Sequence, residues 1–181
     1  MSKKKSLYFV VILLIVVGCF AGYKVYDHKQ WEPVNQVVDR FLDSYNKGSD
    51  ELVQYVLDED ESNPESCLYY SRFVKDDVTY DIKGHHKTKG QYIVDVEVTT
   101  VDNAKILDEN KDLYEGLLAQ SFQDENIKQL RAIKDKPMKT TTVSITLEPF
   151  DDTYYVVVDD DLLEVLSGGF YAYRPTIEEE E

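Results

Sequence analysis

Cysteine is scarce. The 181-residue chain has two, Cys19 and Cys67. Cys19 lies inside an apolar run, which leaves Cys67 without an intrachain partner, so a disulfide framework and a cysteine-based zinc site are both excluded. Histidine is almost as rare, with His28, His85 and His86 the three in the chain. No phosphate-binding glycine loop, dinucleotide fingerprint, G-x-S-x-G elbow or H-E-x-x-H pair is present. Positive charge is also short: 20 Lys and Arg stand against 35 Asp and Glu, for a net charge of −15. With Lys3, Lys4 and Lys5 set aside, 17 basic residues face 35 acidic ones, a net of −18. Such a surface repels phosphate backbones, so nucleic acid is not an expected partner. Internal repeats and low-complexity domains are missing as well.

What the chain does have is one long apolar stretch. Leu7 to Tyr23 holds 17 residues without a charge, and Lys3–Lys5 precede it. As a helix it would rise roughly 26 Å, and extension through Val25 and Tyr26, with Lys24 reaching the headgroups, brings it to the thickness of a hydrocarbon core. The basic flank predicts an N-terminus in the cytoplasm and everything from about residue 27 outside. Tyr8, Tyr23, Tyr26 and Trp31 suit an interfacial aromatic belt. No A-x-A-like site follows, which argues against plain cleavage. A second reading starts from Val16-Val17-Gly18-Cys19, which resembles a bacterial lipobox with Cys19 as the lipidated residue. The apolar continuation Phe20-Ala21-Gly22-Tyr23 favours the spanning helix. Both readings put the rest of the chain on the same side of a cell membrane, with the bilayer itself as a partner of residues 7–26.

The expected organisation is therefore a basic tip (1–6), a transmembrane or signal-anchor helix (7–26), a polar linker (27–32), one α+β domain (33–170) and an acidic tail (171–181) that ends in four Glu. Pro33 suits the first turn of a helix. Val34, Val37, Val38, Phe41, Leu42 and Tyr45 follow at helical spacing, and Gly48 suits its end. Ser49 is a good cap for a second helix whose buried side is Leu52, Val53, Val56 and Leu57. Pro64 to Val74 reads as a third helix, with Cys67 packed in it. The period then changes to two. Val78, Tyr80 and Ile82 mark one strand, Tyr92, Val94, Val96 and Val98 the next, and His85 to Gly90 a polar turn between them. Asn103 to Lys136 reads as helical, in two pieces broken near Gln123-Asp124. Val143, Ile145 and Leu147 mark a third strand and Tyr154 to Val158 a fourth. A short helix, LLEVL, then ends at Gly168-Gly169.

The opening VNQVVDRFLDSYNKGSDELVQYVL resembles the start of an NTF2-like domain, a cystatin-like α+β cone. The ending TTTVSITLEPFDDTYYVVVDDDLLEVLSGGF is similar to that of membrane-anchored NTF2-like proteins of Gram-positive bacteria. The resemblance covers about Pro33 to Phe170 and rests on apolar spacing, so it speaks to fold more than to function. It implies a curved antiparallel sheet packed on helices, and a cone that the long segment between the hairpins could cap or fill.

Candidate sites were weighed residue by residue. Tyrosine is abundant, at 14 residues. Tyr80, Tyr92, Tyr154 and Tyr155 fall on predicted strands and could line an open cone, with apolar walls and hydroxyl tips; ordinary sheet packing is the competing reading. Asp81 is out of phase with its strand's apolar face, and His85 and His86 read as a solvated turn. The runs Asp58–Glu61 and Asp159–Asp161 lack EF-hand spacing and read as solvated acidic loops or as charge at a helix N-terminus. No catalytic set, cofactor or metal is expected. The functional expectation is a membrane-tethered, extracytoplasmic binding or scaffolding domain of the cell envelope, held to an envelope protein or small ligand. The alternative is a cone pocket for a small molecule, with isomerase- or dehydratase-like chemistry.

Overall fold

The computed structural model describes residues 29–57, 64–110 and 124–173. The expectations for the tip, the apolar run with Cys19, the Asp58–Glu61 loop and the acidic end beyond residue 173 lie outside these residues. The architecture is α+β, with one four-stranded antiparallel sheet and helices packed against it.

A long helix, α1, runs through the described residues 29–47. Trp31, Val34, Val38, Phe41, Leu42 and Tyr45 form its buried stripe. The stripe starts one turn earlier than the sequence suggested, because Trp31 is three residues before Val34 and shares its face. Residues 29–32 are thus helical rather than linker, and Pro33 sits inside the helix. Gly48, at φ +58°, ends it in the left-handed region that glycine enters without a Cβ clash. Ser49 caps the next turn by accepting a hydrogen bond from Glu51 N at 3.2 Å. That turn, Asp50–Tyr55, is a 3-10 helix. Its three-residue period buries Leu52 and leaves Val53 40% exposed, against the expectation that both are buried.

Helix α2 spans Pro64–Val74, with Cys67 fully buried. Strands β1 (Thr79–Thr88), β2 (Gln91–Val101), β3 (Met138–Phe150) and β4 (Thr153–Val157) pair in that spatial order as a meander. Between β2 and β3 lie α3 (Asn103–Glu109) and α4 (Asp124–Ala132). The expected helix to Lys136 stops at residue 132, where the chain turns through Asp135 at φ +55°. Helix α5 (Asp160–Leu166) follows β4, capped by Asp159, whose carboxylate accepts from Leu162 N at 2.8 Å. A 3-10 turn, Tyr171–Tyr173, comes last. Tyr171 is buried, so the domain runs past residue 170, where the acidic tail was expected to begin.

The sheet has one dry face and one wet face. Tyr92, Val94, Val96 and Val98 of β2 pair with Leu147, Ile145, Val143 and Thr141 of β3, and the apolar members of that set are buried. On the other face Lys83 meets Asp81 at 2.7 Å and Glu97 at 2.9 Å, and Ser144 donates to Asp95 at 2.7 Å. This alternation is what a half-solvated antiparallel sheet requires. The outer edge of β4 is covered: Val56 bridges to Val156, and Leu57 N donates to Val156 O at 2.9 Å. Covering it removes an open row of backbone donors and acceptors.

Candidate functional site

The four strand tyrosines do not converge. Tyr80 pairs with Val98 far from the β1–β2 turn, and its hydroxyl reaches Asp39 O at 3.3 Å and Asp43 Oδ1 at 3.4 Å on α1. It ties a strand to the helix that crosses it. Burial, then the negative charge of Asp39 and Asp43, pushes its phenol pKa well up. Tyr155 pairs with Glu148 on the wet side of the sheet and packs edge-on against Phe150, ring centres 6.2 Å apart. Only Tyr92 and Tyr154 meet, with ring centres 4.9 Å apart in an edge-to-face arrangement.

Around that pair the structure gathers side chains that sequence reading placed elsewhere. The residue pairing between β1 and β2 slips between Ile82 and Gly84, leaving Lys83 as a bulge. One extra residue exchanges the faces of everything after it. Tyr80 and Ile82 lie on the dry side before the bulge; His85 and Lys87 take that side after it, opposite Val94 and Tyr92. His85 and His86 are therefore strand residues, not turn residues, since β1 continues to Thr88. His85 stacks on Trp31 with ring centres 4.3 Å apart, and Trp31 meets Tyr92 edge-on at 5.3 Å. His86, on the wet face, has Nδ1 3.9 Å from Asp95 Oδ2. Asp81 stays on the wet face, 70% exposed and bonded to Lys83.

The electrostatics of the cluster centre on one phenol. Lys87 Nζ donates to the Tyr92 hydroxyl at 2.9 Å. That bond, followed by one from Tyr154, holds the Tyr92 pKa below the ordinary phenol value. Tyr154 moves the other way, first because burial disfavours its anion and then because it donates to Tyr92. An acidified phenol beside an ammonium is a reasonable proton-transfer pair. Its surroundings are closed, however: Trp31 and Tyr154 lie directly on Tyr92, which is 8% exposed. The arrangement fastens the start of α1 to the β1–β2 hairpin and offers no open wall.

Other expectations find plain structural roles. Cys67 is inside α2, and burial raises its thiol pKa far above the usual value, which keeps it protonated and inert. Asp159, Asp160 and Asp161 cap and charge the start of α5, and Tyr171 donates its hydroxyl to Asp160. Among the described residues no group of three His, Cys, Asp or Glu is placed to hold a metal ion. Among the same residues no helix is long and apolar enough to cross a membrane. Sequence reading missed a second aromatic cluster, in which Tyr70 meets Phe170 at 5.9 Å and Tyr171 at 5.4 Å. Its signal, Phe170-Tyr171 just after Gly168-Gly169, was present, but Tyr171 was assigned to the tail. No family model, no curated protein and no solved structure matches the chain.

Proposed function

We propose that the protein is a membrane-tethered, extracytoplasmic binding or scaffolding domain of a cell envelope, built on an NTF2-like plan. The observation that carries this reading is the uncharged run Leu7–Tyr23 behind Lys3–Lys5. A run of that length and flank anchors a chain in a bilayer and orients it. Helix α1 is already formed at residue 29, so the tether leads almost directly into the domain. A helix lying along the dry face of an antiparallel meander supports the NTF2-like plan. Cys19 remains the alternative point of attachment, through a lipid.

The binding reading is favoured over the cone enzyme by how the dry face is filled. Trp31, Val34, Val38, Phe41 and Leu42 of α1 take the space that substrate would need, and Tyr92 and Tyr154 pack on one another. Limited proteolysis of intact cells tests the topology. An externally added protease should remove residues 29–173 while leaving a membrane-embedded N-terminal fragment. Full protection until the cells are lysed would overturn the proposal.

A further inference from the structure

At the opposite end of α1 a surface cavity of about 270 Å³ is lined by Gly48, Arg72, Lys75, Ile127, Lys128 and Arg131. Four of these six residues are cations and none is an acid, in a chain where acids outnumber bases 35 to 20. Six residues drawn at the chain's own basic frequency would hold fewer than one cation. We propose that this cavity is a binding site for a small, multiply charged phosphate compound: inorganic pyrophosphate or a phosphate ester of similar size.

Three segments build the site. Arg72 stands on the last turn of α2 and Lys75 just beyond it. Lys128 and Arg131 are three residues apart on α4, so they share a face. Ile127 and Leu130 are buried and dock α4 onto the domain, which fixes the direction of that face. Gly48 contributes a floor without a side chain.

Cations also collect at helix C-termini, where they offset the free carbonyls. Here four of those carbonyls already have backbone partners. Gly48 N donates to Tyr45 O at 3.0 Å, Asp76 N to Asn46 O at 2.8 Å, Asp77 N to Val74 O at 2.8 Å and Ile133 N to Leu130 O at 3.4 Å. Lys128 lies a full turn before the end of α4, where that effect has faded. Lys128 has an interaction of its own, and Arg131 pairs only at long range, with Nη2 3.9 Å from Asp76 Oδ2 and Asp76 69% exposed. Among the described residues, neither Arg72 nor Lys75 is ion-paired to a carboxylate. Like charges around one cavity repel, and a multiply charged anion would meet Arg72, Lys75 and Arg131 together where a single carboxylate could not. Two guanidiniums supply the planar donor forks that phosphate oxygens accept. The volume is below that of pockets for drug-sized ligands, which favours a compact anion.

The choice of a soluble source over a lipid headgroup rests on the tether proposed above. The 19 helical residues 29–47 place Gly48 about 28 Å from residue 29, on the anchor side. The test uses the full chain in an uncharged detergent. Inorganic pyrophosphate should raise the unfolding temperature saturably, and sodium chloride at matched ionic strength should not. Calorimetric titration should show Arg72→Gln and Arg131→Gln each weakening pyrophosphate about tenfold. Lys75→Gln with Lys128→Gln should weaken it without disturbing either guanidinium. Lys89→Gln, in the turn at the far end of α1, should leave affinity unchanged. No saturable response at millimolar pyrophosphate, or equal affinity in all these variants, overturns the site. Displacement of pyrophosphate by phosphatidylglycerol vesicles, but not by phosphatidylcholine vesicles, overturns the soluble source and assigns the site to a headgroup. None of these measurements depends on which side of a membrane the domain occupies.

Discussion

The two ends of the described stretch of α1, residues 29–47, are built on opposite principles. At its start, Trp31, His85, Lys87, Tyr92 and Tyr154 interlock, and Lys87 is engaged by the Tyr92 hydroxyl. At its finish, Arg72, Lys75, Lys128 and Arg131 line a surface cavity. One end converts its aromatic and charged residues into stability. The other gathers cations, of which Arg131 meets its carboxylate only at 3.9 Å. Substitutions should therefore be costly at the first end for folding and at the second for binding.

The largest expected effect is Trp31→Ala. It removes a side chain that is 6% exposed and touches two rings, and should cost about 3–5 kcal/mol in denaturant unfolding. A cost below about 1 kcal/mol would break the comparison, since the start of α1 would then be as loosely held as its finish. Next is alkaline unfolding. Burial raises the phenol pKa values of Tyr45, Tyr80 and Tyr154, and pushes that of Tyr69 up to about 12. Their unfolded value is about 10, so the unfolded chain loses these protons first. The stability they contribute is whole below pH 10 and falls as pH rises toward and through the folded values. Tyr92 opposes this: its folded value is lowered, so its contribution grows as pH rises toward 10. Chemical denaturation across this range should show a net loss, and Tyr69→Phe should flatten it between pH 10 and about 12.

Tyr92→Phe should cost about 1 kcal/mol, because it leaves Lys87 and Tyr154 without their acceptor while keeping the ring contacts. Thermal unfolding at neutral pH is the measurement. The smallest effect on stability belongs to Arg72→Gln, which should stay within about 0.5 kcal/mol because its side chain is exposed. The same substitution sharpens the comparison in another way. The Arg72 cation lowers the Tyr69 pKa against the effect of burial, so ultraviolet titration should find Tyr69 still more resistant to ionisation in that variant.

Periodic features were legible in the sequence. The stripe from Val34 to Tyr45, the alternation from Tyr92 to Val98 and the cap at Ser49 are all local patterns, and the structure reproduces them. The α+β class followed from them. The bulge at Lys83 was not legible, because an extra residue cancels the period-two signal that would announce it, and the positions of His85 and Lys87 were lost with it. Val53 was misjudged because 3-10 and α spacing differ by little over one turn. The cation-lined cavity was invisible for a different reason. Its residues come from positions 48, 72–75 and 127–131, and only tertiary packing brings them together.

The seam between β2 and the end of α5 carries a consequence for how the chain is made. Asn103 Nδ2 donates to Ser167 O at 2.8 Å, and Ala104 N donates to Gly168 O at 3.1 Å. Gly168 lies so close to the chain that a Cβ there would stand 1.8 Å from Val101 O. Phe170 and Tyr171 then close over Tyr70. Contacts from residues 167–171 thus complete a core begun by α1 and α2 more than 90 positions earlier. During translation the ribosome delivers α1, the hairpins and β4 before it delivers that seal. Until residues 167–171 emerge, the nascent domain exposes apolar surface along that seam and over Tyr70, and its maturation waits on this short stretch of core.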